Sequence, residues 1–221
     1  MEAIKTAIQV DQISKYFNST LLFEQLSFSV PKGELMIITG PSGLGKTTLL
    51  RMICGLAPFD GSIRIFGEKV KANTTNENLV LVSQQPALWE HLSGIDNVAI
   101  VRKLLFKESL SQARKNVEKY LELLEVQHIA KRFPRTMSGG EQQRLGFARG
   151  LATERAILLL DEITANIDAS RKQIVAHAIQ ELQSQGKTII VVTHDPVIIN
   201  LLRATPYILH QNGLHQATPH Q

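Results

Sequence analysis

One eight-residue stretch limits what this chain can fold into more than any other. Gly40-Pro41-Ser42-Gly43-Leu44-Gly45-Lys46-Thr47 follows an apolar run, Leu35 to Thr39, and precedes a helical stretch from Thr48 to Cys54. It fits G-x-x-x-x-G-K-[ST], the strand-to-helix turn that wraps phosphate. Phosphate needs this composition: glycines let backbone N–H groups converge on the oxygens, the helix start adds partial positive charge, and Lys46 adds a full one. Thr47 offers its hydroxyl to Mg²⁺, and Thr48 follows it at the helix start.

The rest of the chain has the grammar of an α/β protein. The opening third reads as short strands at Ala7 to Val10, Leu26 to Val30 and Leu35 to Thr39, with Ser62 to Phe66 and Glu68 to Val70 forming a hairpin around Gly67. From Pro86 to Gln127 the pattern turns helical: Ser109 and Gln112 resemble a capping box, and Ala113, Val117, Leu121 and Leu124 recur at helical spacing. After Arg149 come a strand, Ala156 to Leu160, a helix, Ala169 to Gln183, and a strand, Thr188 to Thr193, which is parallel βαβ order. The stretch from His210 to Gln221, with His210, His215 and His220, reads as a frayed polar tail whose histidine spacing matches no common ligand pattern.

Composition removes several classes. A length of 221 residues corresponds to about 1.5 typical domains, hence one large domain with an inserted lobe, and 43% hydrophobic residues suffice for a core. The single cysteine, Cys54, cannot form an internal bridge. No apolar window reaches the length of a membrane span, and the opening Met1-Glu2-Ala3-Ile4-Lys5 lacks the features of a secretory signal, so the expected location is cytoplasmic. The net charge of +4 comes from basic residues scattered among 20 acidic ones, which predicts no nucleic-acid partner.

Two further motifs carry chemistry. Ile157-Leu158-Leu159-Leu160-Asp161-Glu162 is an apolar strand ending in two acids, and a buried parallel strand delivers such carboxylates to the ligand edge of the sheet. Asp161 is the expected Mg²⁺ holder and Glu162 the expected general base for an attacking water. Met137-Ser138-Gly139-Gly140-Glu141-Gln142-Gln143-Arg144 opens a helix whose Leu145, Ala148 and Leu151 face the core. It is at least an N-cap, and its free N–H groups suit a second phosphate.

The set Gly40 to Thr47, Gln84, Ser138 to Gln142, Leu160-Asp161-Glu162, Asp168 and His194, in this order, closely resembles the ATP-binding subunit of ABC transporters over essentially the whole chain. The resemblance implies a P-loop NTPase core with a mostly parallel sheet, an N-terminal antiparallel β subdomain and an inserted α-helical subdomain. It implies a single domain over 1–221, with 1–85 and 146–221 mainly core and 86–145 the helical subdomain. ATP and Mg²⁺ are the implied cofactors, with Lys46, Glu162 and His194 catalytic and Thr47, Gln84 and Asp161 at the metal. Gly40 to Thr47, Thr48 and Gln84 are implied nucleotide contacts, and Ser138, Gly139, Gly140, Glu141 and Asp168 are implied contacts across a head-to-tail homodimer. Phe17 is implied as the adenine-stacking aromatic, with Tyr16 as its alternative, and Gln85 competes with Gln84. The implied partners are separate integral membrane permease subunits, engaged at the cytoplasmic face through Gln84 and the Pro86 to Val98 segment, where Trp89 lies.

Departures from the family pattern are Glu141 for glutamine, Ile163 for proline, and Ala165-Asn166-Ile167-Asp168 for Ser-Ala-Leu-Asp. Subfamily features point two ways. Phe133-Pro134 and Trp89-Glu90-His91-Leu92 resemble polar amino-acid importers. Asp96 to Ile100, Gly140 to Arg144 and the Asn166 loop resemble lipoprotein-release and cell-division ATPases. A soluble ABC ATPase outside transport is a further alternative, and the transported substrate is not encoded in the chain.

Overall fold

The structure is a computed structural model that describes residues 5–17, 20–211 and 213–217; the side chains of Phe17 and Thr20 lie outside that description, as does His220. Its centre is a six-stranded sheet ordered β10-β9-β3-β8-β7-β6, built from β3 (Leu35–Thr39), β6 (Leu79–Val82), β7 (Ile157–Asp161), β8 (Thr188–Val192), β9 (Tyr207–His210) and β10 (Gly213–Gln216). All neighbours are parallel except β9 and β10. Strands β7 and β8 are buried at every position, which is why they read as unbroken apolar runs.

Side-chain alternation along these strands divides the interior into two cores. Leu158, Leu160, Ile189 and Val191 face the helices α2 (Gly94–Phe106), α3 (Leu110–Leu123), α4 (Gly139–Leu151) and α5 (Ala169–Ser184). Ile157, Leu159, Ile190 and Val192 face α1 (Lys46–Ile53) and a second sheet. That sheet is antiparallel, ordered β2-β1-β4-β5, from β1 (Thr6–Phe17), β2 (Thr20–Pro31), β4 (Asp60–Ile65) and β5 (Glu68–Lys69). The expected hairpin at Gly67 is present: Phe66 and Gly67 both have positive φ, 49° and 85°, the conformation a two-residue hairpin turn requires. The architecture is the expected α/β core with an antiparallel β layer and helices.

Two expectations need correction. The C-terminal stretch is not a frayed tail through Gln216: β9 and β10 form a hairpin, with Leu209 buried and β9 paired to β3 through Ile38–Tyr207 and Thr39–Ile208. The apolar Tyr207-Ile208-Leu209 run drives this, and the turn is fastened to β2 by Gln211, which accepts from the Glu24 N–H at 2.8 Å and donates to the Leu21 carbonyl at 3.2 Å. The capping box expected at Ser109 forms by half. Ser109 accepts from the Gln112 N–H, but the Gln112 side chain turns to Asn116 instead. The complete box is at Ser138, where the Ser138 hydroxyl accepts from the Glu141 N–H and the Glu141 carboxylate accepts from the Ser138 N–H.

Helix α4 joins the helical layer to the loop after β6 at very short range. A Cβ at Gly146 would stand 2.4 Å from Pro86 Cβ. Alanine there gains about 1 kcal/mol of helix propensity, but a proline ring cannot swing away, and overpacking costs about 1–3 kcal/mol. Gly146→Ala is therefore expected to be net destabilising, read as a lower urea midpoint with an unchanged slope.

Candidate functional site

The carboxyl ends of β3, β7 and β8 meet at one edge of the central sheet. A cleft of about 430 Å³ opens there, lined by Leu22, Ser42, Gly43, Gly45, Lys46, Thr47, Thr48, Gln84, Asp161, Glu162, Val192 and His194. The phosphate-loop motif, the acidic strand end, the glutamine and the histidine thus converge. Gln85 instead lines a separate cavity with Pro86 and Arg149, so of the two glutamines Gln84 faces the cleft.

The loop from Gly40 to Gly45 is shaped by its neighbours. Gly40, at φ 139°, lies so close to β9 that a Cβ would be 3.3 Å from the Leu209 carbonyl, and one at Gly45, φ 85°, would be 2.8 Å from the Phe23 ring. Lys46 is 8% exposed, and its ammonium donates to the Gly40 and Pro41 carbonyls at 2.8 and 3.0 Å. Its charge is therefore held inside the loop and at the start of α1, where an anion gains from both.

Thr47 donates its hydroxyl to Asp161 at 3.1 Å. Asp161 is 4% exposed, and burial pushes its carboxyl above the usual range; Glu162 adds to the rise, while Thr47 and Lys46 oppose it. Glu162 comes next with φ 49°, a left-handed conformation uncommon for a side chain this size, and its N–H donates to the Val192 carbonyl at 2.9 Å. This turn aims the Glu162 carboxylate at His194, whose Nδ1 is 2.7 Å away. His194 is 70% exposed at its side chain and Glu162 13%, so the pair spans from the cleft floor to its rim.

The remaining expected site residues do not line this cleft. Ser138, Gly139, Gly140 and Glu141 start α4, with Gly140 packed on the loop after β7 so closely that a Cβ would be 3.0 Å from the Asn166 carbonyl. Asp168 caps α5: the Ser170 hydroxyl and then the Arg171 N–H and guanidinium draw its carboxyl down to about 2. Tyr16 is an exposed strand residue, and the Phe17 side chain lies outside the described residues. Trp89 is 40% exposed with the Arg149 guanidinium 4.9 Å from its ring centre, so it is not a core residue. Sequence reading overlooked Leu22 and Val192 in the lining. Val192 could have been inferred as the strand residue before Thr193-His194, whereas nothing local marks Leu22.

A parallel sheet with a glycine-rich loop between β3 and α1, and acids at the end of a neighbouring strand, defines a P-loop nucleotide-binding protein. Comparison with known proteins narrows the class. The ABC transporter family profile matches residues 23–165, and the chain belongs to that family. It is 38% identical over 195 residues to the sulfate/thiosulfate import ATP-binding protein CysA of Neisseria meningitidis serogroup A, covering 86% of this chain and 55% of the relative. With the protein of the same name from Escherichia coli K12 it shares 34% over 217 residues, 96% of this chain and 60% of the relative. The chain spans about half the length of the curated relatives it matches. The dimeric post-hydrolysis structure of the ATP-binding cassette MJ0796 with ADP and Pi superposes with a TM-score of 0.83 at 27% identity, covering 95% of this chain and 97% of that one.

The raised carboxyl of Asp161 has a consequence for stability. The folded chain binds this proton more tightly than the unfolded chain does, so stability falls as pH rises from the ordinary carboxylate value through the raised folded value, and stays lower above it. Asp161→Asn should therefore melt higher than the parent at pH 7 without divalent cations. The gap should close on acidification below the ordinary carboxylate value. Scanning calorimetry across pH checks both the sign and the closing.

Proposed function

We propose that this chain binds and hydrolyses ATP and, as one half of an ATP-joined pair, energises a transport complex whose permease subunits are separate membrane polypeptides. The observation that carries the proposal is the convergence in one cleft of Lys46, the Thr47–Asp161 pair and the Glu162–His194 pair. Among the described residues no helix is long and apolar enough to cross a membrane, which fits a peripheral subunit at the cytoplasmic face.

The chemistry arises from the residues. Loop N–H groups, the start of α1 and Lys46 hold the β- and γ-phosphates. Thr47 and Asp161 offer hard oxygen donors of the kind Mg²⁺ prefers, and Asp161, buried with its charge disfavoured, is a carboxylate that a cation would relieve. Gln84 can add a carbonyl oxygen. Bound Mg²⁺ would neutralise phosphate charge. Glu162 takes the proton of the attacking water, and His194, held by Glu162 at 2.7 Å, presents its other ring nitrogen toward the γ-phosphate. An adenine-stacking role for Phe17 belongs to the same reading.

Ser138 and the N–H groups at the start of α4 stand outside the cleft, as a group serving a second subunit's nucleotide would. In this reading Ser138 to Glu141 of one copy cap the ATP held by Lys46 of the other, and Asp168 contributes at the same interface. Residues 86–145 form the helical subdomain, and 1–85 with 146–221 the core and its β layer. The permease docks on the Pro86 to Val98 segment. This segment is rigid: Asn97 is fully buried, accepts from the Trp89 N–H, and donates to the Trp89, Leu92 and Ser93 carbonyls. Its exposed Trp89 is then an anchor of the kind interfaces favour.

Two experiments test the reading. Lys46→Ala should weaken ATP binding by about 2 kcal/mol or more, some 30-fold, by calorimetric titration. Glu162→Gln should keep bound ATP unhydrolysed and run as a dimer with Mg·ATP and a monomer without it in size-exclusion chromatography with light scattering. Adding Ser138→Arg should restore the monomer. A dimer indifferent to Ser138→Arg would contradict the head-to-tail arrangement.

A further inference from the structure

The Glu162–His194 pair joins two turns that are not covalent neighbours, and a half-buried carboxylate one residue beyond His194 ties both turns to a third element. Asp195 Oδ2 accepts from the Thr164 hydroxyl at 3.3 Å and lies 2.5 Å from the Lys172 ammonium on α5. Asp195 Oδ1 accepts from the Val197 N–H at 3.0 Å, capping α6 (Pro196–Leu202). Its own N–H donates to Thr193 Oγ1, and the Thr193 N–H donates to the β3 carbonyl of Ile38. The side chains of Asp195 and Lys172 are 13% and 18% exposed, and Thr164 is fully enclosed at 2%. Burial alone would raise the Asp195 carboxyl, but the Lys172 hydrogen bond, the Val197 N–H and the Lys172 charge outweigh it and hold it below its usual range.

Thr164 is two residues after Glu162, and Asp195 is one after His194. One charged group therefore fixes the distance between the loop that carries the carboxylate and the turn that carries the imidazole. We infer that Asp195, held in place by the Lys172 ammonium, is the positioning residue that keeps Glu162 and His194 in hydrogen-bonding register for ATP hydrolysis. The inference rests on the ATPase reading. Neither Asp195 nor Lys172 lines the nucleotide cleft, so both act through other residues and leave the phosphate contacts of Lys46 and Thr47 alone. A small displacement of a reacting group suffices for a large loss of rate, on the order of 100-fold for about 1 Å.

Steady-state ATP hydrolysis by the parent protein comes first, and its absence would remove the ATPase reading itself. Given parent activity, Lys172→Met should lower kcat by about 10- to 100-fold, with the KM for ATP changed less than about twofold. Lys172→Arg, which keeps the charge opposite Asp195, should recover kcat to within about threefold of the parent. In a His194→Ala background, where the pair is already broken, Lys172→Met should change residual phosphate release by less than about twofold, because effects acting through one contact do not add. Histidine-selective ¹⁵N NMR gives a second readout: the hydrogen-bonded Nδ1 signal of His194 should be lost in Lys172→Met and retained in Lys172→Arg. A parent-like kcat and an unmoved His194 signal in Lys172→Met would overturn the inference. So would an effect of Lys172→Met that persists undiminished when His194 is alanine, since that describes a merely structural ion pair.

Discussion

The parallel pairing of β3, β8 and β7 is the constraint on which the site depends. Its register sets Ile38 against Val192 and Val192 against Asp161, so the three strands end level with one another. The residues leaving each strand then arrive at one place: the phosphate loop after β3, the His194 turn after β8, and Glu162 after β7. A slip of one residue would exchange Leu158 and Leu160 with Ile157 and Leu159 between the two cores, and all four are essentially without solvent exposure. The register is thus enforced by packing on both faces, and the geometry of the cleft is inherited from apolar residues that take no part in its chemistry.

Against that rigid frame the site retains features that stability alone would remove. Asp161 is a buried carboxylate whose charge is disfavoured, Lys46 is a buried ammonium satisfied by two carbonyls, and Glu162 sits in a left-handed conformation. A left-handed backbone at a residue other than glycine costs on the order of 1–3 kcal/mol. These features persist because neighbours over-determine them: Glu162 is fixed by its N–H to Val192 on one side and by His194 on the other. The clamp at Asn97 shows the opposite strategy, polar groups fully used to stiffen a support.

Local signals account for the parts that were legible in the sequence. Gly40 to Thr47 and the Leu160-Asp161-Glu162 strand end name their own positions, because a tight turn and an unbroken apolar run are properties of consecutive residues. The long hairpin of β1 and β2 was visible only in fragments: its inward residues, such as Ile8, Val10 and Ile13, alternate with exposed polar ones and are put out of phase by register shifts between Val10 and Ile13 and beyond. Strand β9 escaped because the polar residues after Leu209 outweigh a four-residue strand whose pairing partner, β3, lies far earlier in the chain. The Asp195 cluster was illegible for the same reason. Thr164, Lys172 and Asp195 are each unremarkable in isolation and acquire meaning only when three separate elements fold together.

Those non-local contacts also connect the start of α4 to the loop that leaves the cleft. The start of α4 rests on the Asn166 carbonyl through Gly140, a position where even a methyl group would press on the backbone. Two residues earlier in the same loop, Thr164 is bound to Asp195, and two residues later Asp168 caps α5, the helix that supplies Lys172. A short segment, Glu162 to Asp168, is therefore held at its beginning by His194, in its middle by Asp195 and α4, and at its end by the cap of α5. It has little freedom to deform internally, because Ala165 and Ile167 donate their N–H groups to the Glu162 and Thr164 carbonyls within it. A shift of the α4 start toward this segment would meet the Asn166 backbone first. The start of α4 and the Glu162–His194 pair thus rest on the same short segment of one chain.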